Sequence, residues 1–546
     1  MDDSAGREFL FFDATVITMD PERPIASGIL VRGGRIAQVG SAEAVRAAAG
    51  KKAIPRSLGG ATVIPGLIDA HCHFSIVGYL SRSVDCSQPG SPDIVGIKRR
   101  LSEAAHRTPS EAWVTGYGYV EYKLREDRHP TRWDLDEAVP DRPCVLYHTS
   151  LHACVVNSRA LKEAGYHDDS PEPVDGQLGR ASDGRLNGVL HEAPMFKLLA
   201  ANMARDIEGM GETDRVEMVE RAGRHFAALG ITCCVDADLR RESYEALSSA
   251  DARGTLEVRV AAMLDHHELD WIRETGRCPG GSDHFRVNGV KIFADGGMSS
   301  RMAAIEGRYA VAPHGSGMLL HDLDELTRLV RDCDELGFQV GVHAQGDRAI
   351  RMVLDAYDSV LAAHPGNPRR HRIEHGGAMS PQLIARTAAL RLPVVSQPGF
   401  LSALGDGFHE AFGPEQSQGL YPFRSMRSAG VVVAGSSDAP VIGASPFVGI
   451  RDAMLRQTES GRVLGYEERL TAKEGLELYT QAASYAALWE QDIGSLESGK
   501  RADLVVLDGN PLEVDPQRLP DIQVLATIVG GKVAHRSSSF ATLGPD

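Results

Sequence analysis

The chain has 546 residues, 42% apolar and 24% charged, a balance that excludes a disordered or fibrous protein and, at this length, implies one large domain with a smaller companion. Lys plus Arg (58) against Asp plus Glu (74) leaves a formal charge of -16, which argues against nucleic acid or an anionic membrane as the primary partner. Met1-Asp2-Asp3-Ser4 carries acid where a secretory leader needs base, no apolar run approaches the ~20 residues of a membrane span, and the eight cysteines include no CxxC pair, so neither a disulfide framework nor a cysteine zinc site is indicated and a cytoplasmic location is expected.

From Phe9 to about Val39, apolar runs alternate with turn signals such as Gly33-Gly34, the pattern of short antiparallel strands. The C-terminus repeats it in Ala502-Asp503-Leu504-Val505-Val506-Leu507 and in Thr527-Ile528-Val529-Gly530-Gly531-Lys532-Val533. Residues 1–60 and 491–546 are therefore expected to build one small β-sandwich from both termini. Between them, 61–490 alternates short apolar runs with longer helical stretches, the signature of a parallel βα barrel. Candidate strands are 63–68, 143–148, 230–235, 256–264, 287–294, 338–343, 371–375, 392–397 and 430–436. That is nine where a closed (β/α)8 barrel needs eight; the surplus strand is expected between 230 and 264. Residues 157–224, with Pro171-Glu172-Pro173 and Asp183-Gly184, are expected to form an inserted, mainly helical lid.

An apolar strand, Val63-Ile64-Pro65-Gly66-Leu67-Ile68, runs into Asp69-Ala70-His71-Cys72-His73. Residues i and i+2 of a strand share a face, so His71 and His73 point one way at the strand's C-terminal end, where barrel sites collect. Alone, such a pair is as readily two structural histidines as two metal ligands. In Asn288-Gly289-Val290-Lys291-Ile292-Phe293-Ala294-Asp295 a cation sits inside an apolar strand, which is costly unless the charge is paired or removed. Asp295, on the same face, is one remedy, and conversion of the amine to an anionic, bridging carbamate is the other. From this strand alone the ion pair is favoured. Three more strand ends then add His343, His375 and Asp438. Core packing explains one such residue readily, but not this set together.

The order HxH, Lys, His, His, Asp resembles the amidohydrolase superfamily, and the surrounding segments look like its YtcJ-like (amidohydrolase 3) branch. The segments are Val155-Val156-Asn157-Ser158-Arg159-Ala160-Leu161, Gly188-Val189-Leu190-His191-Glu192, Lys291-Ile292-Phe293-Ala294-Asp295-Gly296, His343-Ala344-Gln345-Gly346-Asp347-Arg348-Ala349, Arg372-Ile373-Glu374-His375, Ser437-Asp438-Ala439-Pro440 and Gly499-Lys500-Arg501-Ala502-Asp503-Leu504. The resemblance implies a distorted TIM (β/α)8 barrel with a β-sandwich from both termini. It also implies a divalent metal site, zinc first among the candidates and one or two ions per chain, with His71, His73 and Asp438 on one ion, His343 and His375 on the other, and carboxylated Lys291 between them.

The branch's activities include deformylation of N-substituted formamides, so the implied reaction is hydrolysis of a C–N bond in an N-acyl or N-formyl amine, with metal-activated water and Asp438 as proton shuttle. A cyclic amide or imide hydrolase or a deaminase is the alternative, and a catalytically silent binding protein is a further one that the intact ligand set disfavours. Substrate contacts are expected from His152, Glu192 and Arg301; Arg301 has Asp295 as its competing partner. Asp347 and Arg372 are expected to orient ligands. The partner is a small-molecule substrate, and a homodimer stays open.

Overall fold

The computed structural model describes residues 8–109, 112–149, 151, 153–173, 176–310, 315–363, 366–538 and 540. It divides into two compact units: Met1–Phe74 with Val219–Ala439 and Gly443–Asp546, and Ser75–Met218 with Pro440–Ile442. The fold is mixed α/β, and the first unit contains a nearly closed parallel barrel.

The barrel strands are β1 (Leu67–Cys72), β2 (Ile231–Leu239), β3 (Arg259–Asp265), β4 (Phe285–Phe293), β5 (Gln339–Ala344), β6 (Arg372–His375), β7 (Val394–Ser396) and β8 (Val433–Gly435). Each pairs in parallel with the next, in chain order. Outside β6, runs of β-branched and small apolar residues suit strands covered on both faces. Intervening helices carry the matching apolar stripe. Leu323–Glu335 is capped by Asp322, whose side chain accepts from Glu325 N, and it buries Leu326, Val330 and Cys333 along one side, as 3.6-residue periodicity requires.

Two strand expectations need correction. The surplus strand is 143–148, not one between 230 and 264. Cys144–His148 pairs with Val114–Tyr119 and Ala153–Val156 in a six-stranded mixed sheet of the second unit. The run expected at 63–68 is two strands. Ile54–Pro65 ends in a sheet with Leu504–Leu507, and β1 starts at Leu67 in the barrel. The chain changes sheets at Gly66, where an added Cβ would lie 2.1 Å from Thr232 Oγ1, so only glycine fits the crossing.

The terminal segments form one seven-stranded sheet in which Ile54–Pro65 joins Glu8–Ile17 on one side to Leu504–Leu507 on the other. Phe11, Ile29 and Val31 from the N-terminal strands share an apolar cluster with Leu504, Val506 and Ile528. The segment expected as a helical lid holds the helix Ala193–Gly209 but also the strands Gly176–Arg180 and Leu186–Glu192. The unit it belongs to begins at Ser75 rather than near residue 157.

Candidate metal centre

The carboxyl ends of β1, β4, β5, β6 and β8 bring His71, His73, Lys291, His343, His375 and Asp438 together. The seam between the first and last strands is stitched by the site residues themselves. Asp438 N–H donates to His71 O at 2.8 Å, and His73 N–H donates to Ala439 O at 2.7 Å. Asp69, which precedes the histidine pair, accepts from Ser437 N at 3.0 Å and from Ser437 Oγ at 2.5 Å, and so fixes the aspartate's loop to β1.

Asp438 Oδ1 lies 3.1 Å from His73 Nε2 and 3.4 Å from His71 Nε2, yet this buried oxygen makes no hydrogen bond among the described residues. Two ligand atoms at about 2.0–2.1 Å from a tetrahedral ion stand about 3.3 Å apart, so the donor set fits a divalent cation. His71, His73 and Asp438 form one of two groups of potential ligands among the described residues. The other, Asp265, His266 and His267, is explained without an ion. Asp265 pairs with Arg240 at 3.0 Å and caps the turn by accepting from His267 N at 2.9 Å.

The imidazoles converge. The rings of His343 and His375 stand 4.3 Å apart, and those of His71 and His375 stand 4.9 Å apart. Each is held through one nitrogen. His71 Nδ1 bonds Glu374 Oε2 at 2.5 Å, and Glu374 Oε1 accepts from Arg372 Nε, also at 2.5 Å. His375 Nδ1 bonds Gln397 Oε1 at 2.8 Å, with Gln397 Nε2 committed to Ser436 Oγ at 3.0 Å. The acceptors force Nδ1–H on both rings, which leaves Nε2 as a lone pair facing the centre. His343 Nε2 lies 3.3 Å from Gly296 O, so its Nδ1 is the free nitrogen. Gly341 makes room for this scaffold, because a Cβ there would stand 2.4 Å from Glu374 Oε1.

Lys291 Nζ lies 3.4 Å from His71 Nε2 and 4.6 Å from the Phe293 ring centroid. Burial pushes its amine below the ordinary lysine range, against the pull of Glu374, Asp438 and Asp238. The expected partner Asp295 is otherwise engaged, accepting backbone N–H groups of Ala304, Gln345 and Gly346 at 2.9, 3.0 and 2.9 Å. Burial drives Asp295 up to about 7 despite these bonds. It likewise drives His375 down to about 3, and His343 well below the usual range, so both are neutral, as ligands must be. His375 and Asp438 also have left-handed backbones, at φ 72° and 61°, strain of the kind that gathers at functional sites.

The other expected residues are Arg301, Glu192, His152, Asp347 and Arg372. Arg301 Nη2 lies 3.3 Å from Glu410 Oε1 rather than on Asp295. Glu192 belongs to the second unit, at the N-terminus of Ala193–Gly209. His152 lies outside the described residues. Asp347 Oδ1 accepts from Glu306 N at 2.9 Å and Arg348 N at 3.0 Å, holding a loop rather than a ligand. Arg372 acts through Glu374. Glu374 and Gln397, the residues that touch His71 and His375, were not singled out from sequence; Glu374 appeared only within the run Arg372-Ile373-Glu374-His375.

A profile of the amidohydrolase family matches residues 56–535. The chain is 33% identical to N-substituted formamide deformylase of Arthrobacter pascens, over 96% of this chain and 98% of that protein. It is 28% identical to putative amidohydrolase YtcJ of Bacillus subtilis (strain 168), with the same coverage of each. Among solved structures, an uncharacterized metal-dependent hydrolase from Pyrococcus horikoshii superposes with a TM-score of 0.77 at 25% identity, over 93% of this chain and 99% of that one.

Proposed function

The chain belongs to the amidohydrolase family, and from that premise we propose that this hydrolase cleaves the amide C–N bond of an N-acyl or N-formyl amine at the His71, His73, Lys291, His343, His375 and Asp438 centre. The observation that carries the reading is the buried, unbonded Asp438 Oδ1 facing two imidazole nitrogens at 3.1 and 3.4 Å. A relative named for formamide deformylation, matched over nearly the whole chain, supports the substrate class.

His71, His73 and Asp438 would hold one divalent ion, zinc first among the candidates, and His343 and His375 a second where two are bound, with Lys291 as a carbamate between them. When bound, the metal supplies Lewis acidity toward water and the scissile carbonyl. Asp438 accepts a proton as the attacking water's oxygen bonds to the carbonyl carbon. The same proton then passes to the nitrogen as the C–N bond breaks, so the products are a carboxylic acid and an amine. Without that proton the amine is a poor leaving group. Glu374 and Gln397 keep His71 and His375 fixed while this happens.

Metal-replete protein should release amine from linear N-substituted formamides in preference to cyclic amides, and plasma emission should find one to two equivalents of a divalent metal per chain. Full activity in a metal-free preparation would end the proposal. Asp438→Asn should keep its metal while kcat falls about 10²–10⁴-fold, and a wild-type rate would remove Asp438 from proton transfer. Lys291→Ala should lose activity that short carboxylic acids partly restore; no rescue would count against the carbamate.

A further inference from the structure

Tyr421 is completely buried, and among the described residues its phenol oxygen has no hydrogen-bond partner. Buried tyrosine hydroxyls normally find one, because a dry, unpaired O–H is costly. The surrounding structure nevertheless fixes this one firmly. Its backbone is left-handed at φ 52°, a conformation that persists only where neighbours impose it. Its N–H donates to Gly377 O at 2.7 Å, and its C=O accepts from Arg456 Nη1 at 2.9 Å. Arg456 is itself buried, with Nε and Nη2 committed to Leu464 O and Leu420 O at 2.5 and 2.7 Å. Phe400, Phe408 and Phe423 wall the ring at centroid distances of 6.2, 5.8 and 6.2 Å.

The ring carbon that bears the hydroxyl lies beside the chain that follows His375. Cζ is 3.4 Å from where a Cβ on Gly377 would stand, and Gly377 is two residues beyond His375. Phe400 continues the wall, stacked at 6.4 Å and 11° on the His375 ring. Burial, then the charges of Asp438 and Asp295, push the phenol's pKa up, so it remains a donor at any working pH. Those carboxylates are the ones beside His73 and His343.

We propose that Tyr421 is a catalytic hydrogen-bond donor whose O–H binds the substrate's carbonyl oxygen and stabilises the negative charge that oxygen gains when water adds. No proton leaves the phenol. The carbonyl π pair moves onto the oxygen as the new C–O bond forms, and returns when the C–N bond breaks. A hydrogen bond to developing charge contributes most where the donor sits in a water-poor site. This rests on amide hydrolysis at the same centre.

Tyr421→Phe tests it, because it removes the hydroxyl and keeps the ring packing. Metal content and melting temperature should match wild type, since the hydroxyl bonds none of the described residues. With an N-formyl amine, kcat should fall about 10²-fold or more with little change in KM. Calorimetry on metal-loaded protein should show methylphosphonate, a tetrahedral oxyanion, binding at least about tenfold more weakly to the variant, with formate binding altered far less. Wild-type kcat in the variant overturns the proposal, as does a lowered melting temperature accompanied by metal loss, which would mark a structural hydroxyl. If wild type hydrolyses no amide, the reading of the reaction fails by itself. Methylphosphonate then decides on Tyr421, and equal binding by variant and wild type overturns its role.

Discussion

Glu374 joins two buried groups that have no other common partner, the Arg372 guanidinium and the His71 imidazole. Glu374→Gln keeps the shape and removes the charge, leaving Arg372, fully buried, without its counter-ion. Urea unfolding should show a loss of about 3–5 kcal/mol, and metal affinity should fall about 10–100-fold as His71 loses its orientation. Asp452 makes a prediction away from the site. Burial raises its carboxyl to about 6, against hydrogen bonds from Ser402 and Arg451. The native state therefore holds a proton that the unfolded chain releases near the ordinary value of about 4, so this contribution is complete below pH ~4 and is lost as pH rises through about 6. Asp452→Asn should flatten the decline in stability between pH 4 and 7 by about 1–3 kcal/mol, read from urea midpoints across that range. A decline as steep as wild type's would contradict the assignment. His71, His73, Lys291, His343, His375 and Asp438 could be picked out in sequence as candidates because each is a polar residue at the end of a strand or, for Lys291, inside an apolar one, and because their joint order resembles a family's. Glu374 lies 303 residues from His71, and no local pattern reports such a contact. Tyr421 was hidden for another reason, since neither a left-handed backbone nor an unbonded hydroxyl leaves a mark in residue order.

At the scale of the element, strand existence was legible and strand membership was not. The run 143–148 has the same apolar character whether it joins the barrel or another sheet, and its partners, Val114–Tyr119 and Ala153–Val156, decide the matter through long-range pairing. The break at Pro65-Gly66 was written in residues that commonly interrupt strands, but the apolar residues on either side, Val63-Ile64 and Leu67-Ile68, read as one continuous run. Gly66→Ala should place a methyl against Thr232, whose Oγ1, Cγ2 and Cβ would lie 2.1, 2.5 and 2.7 Å away. The clash falls where the terminal sheet hands the chain to β1, and thermal melting should show a loss of about 1–3 kcal/mol. Thr232→Ala in the same chain removes the two closer atoms and should recover part of that loss, but not all, because Cβ remains. Full additivity of the two changes would mean that the contact does not limit the crossing.

At the scale of the molecule, the segments nearest the two termini are not an appendage to the barrel. Ile54–Pro65 lies inside the terminal sheet and runs directly into β1, which carries His71. A second tie is ionic: Arg259, the first residue of β3, donates from Nε and Nη2 to Asp503 at 2.7 and 2.9 Å, both side chains being almost fully buried. Asp503 also accepts from Gly530 N at 2.7 Å, so one carboxylate clamps a barrel strand to the hairpin of Val524–Val529 and Lys532–Arg536. The Gly499-Lys500-Arg501-Ala502-Asp503-Leu504 run was noticed in sequence as part of a family resemblance, without a physical role, because its partner lies 244 residues away. Sheet and barrel also belong to one compact unit, and the expected consequence is a single cooperative transition for both. Asp503→Ala should leave Arg259 buried and unpaired, costing about 3–5 kcal/mol. Far- and near-ultraviolet circular dichroism melts should shift down together. Replacing both partners, Arg259→Leu with Asp503→Leu, should recover much of the loss by removing the stranded charge. Two separated transitions in Asp503→Ala would instead show the terminal sheet melting alone, and the seam at His71 and Asp438 would then depend on the barrel strands without help from the chain ends.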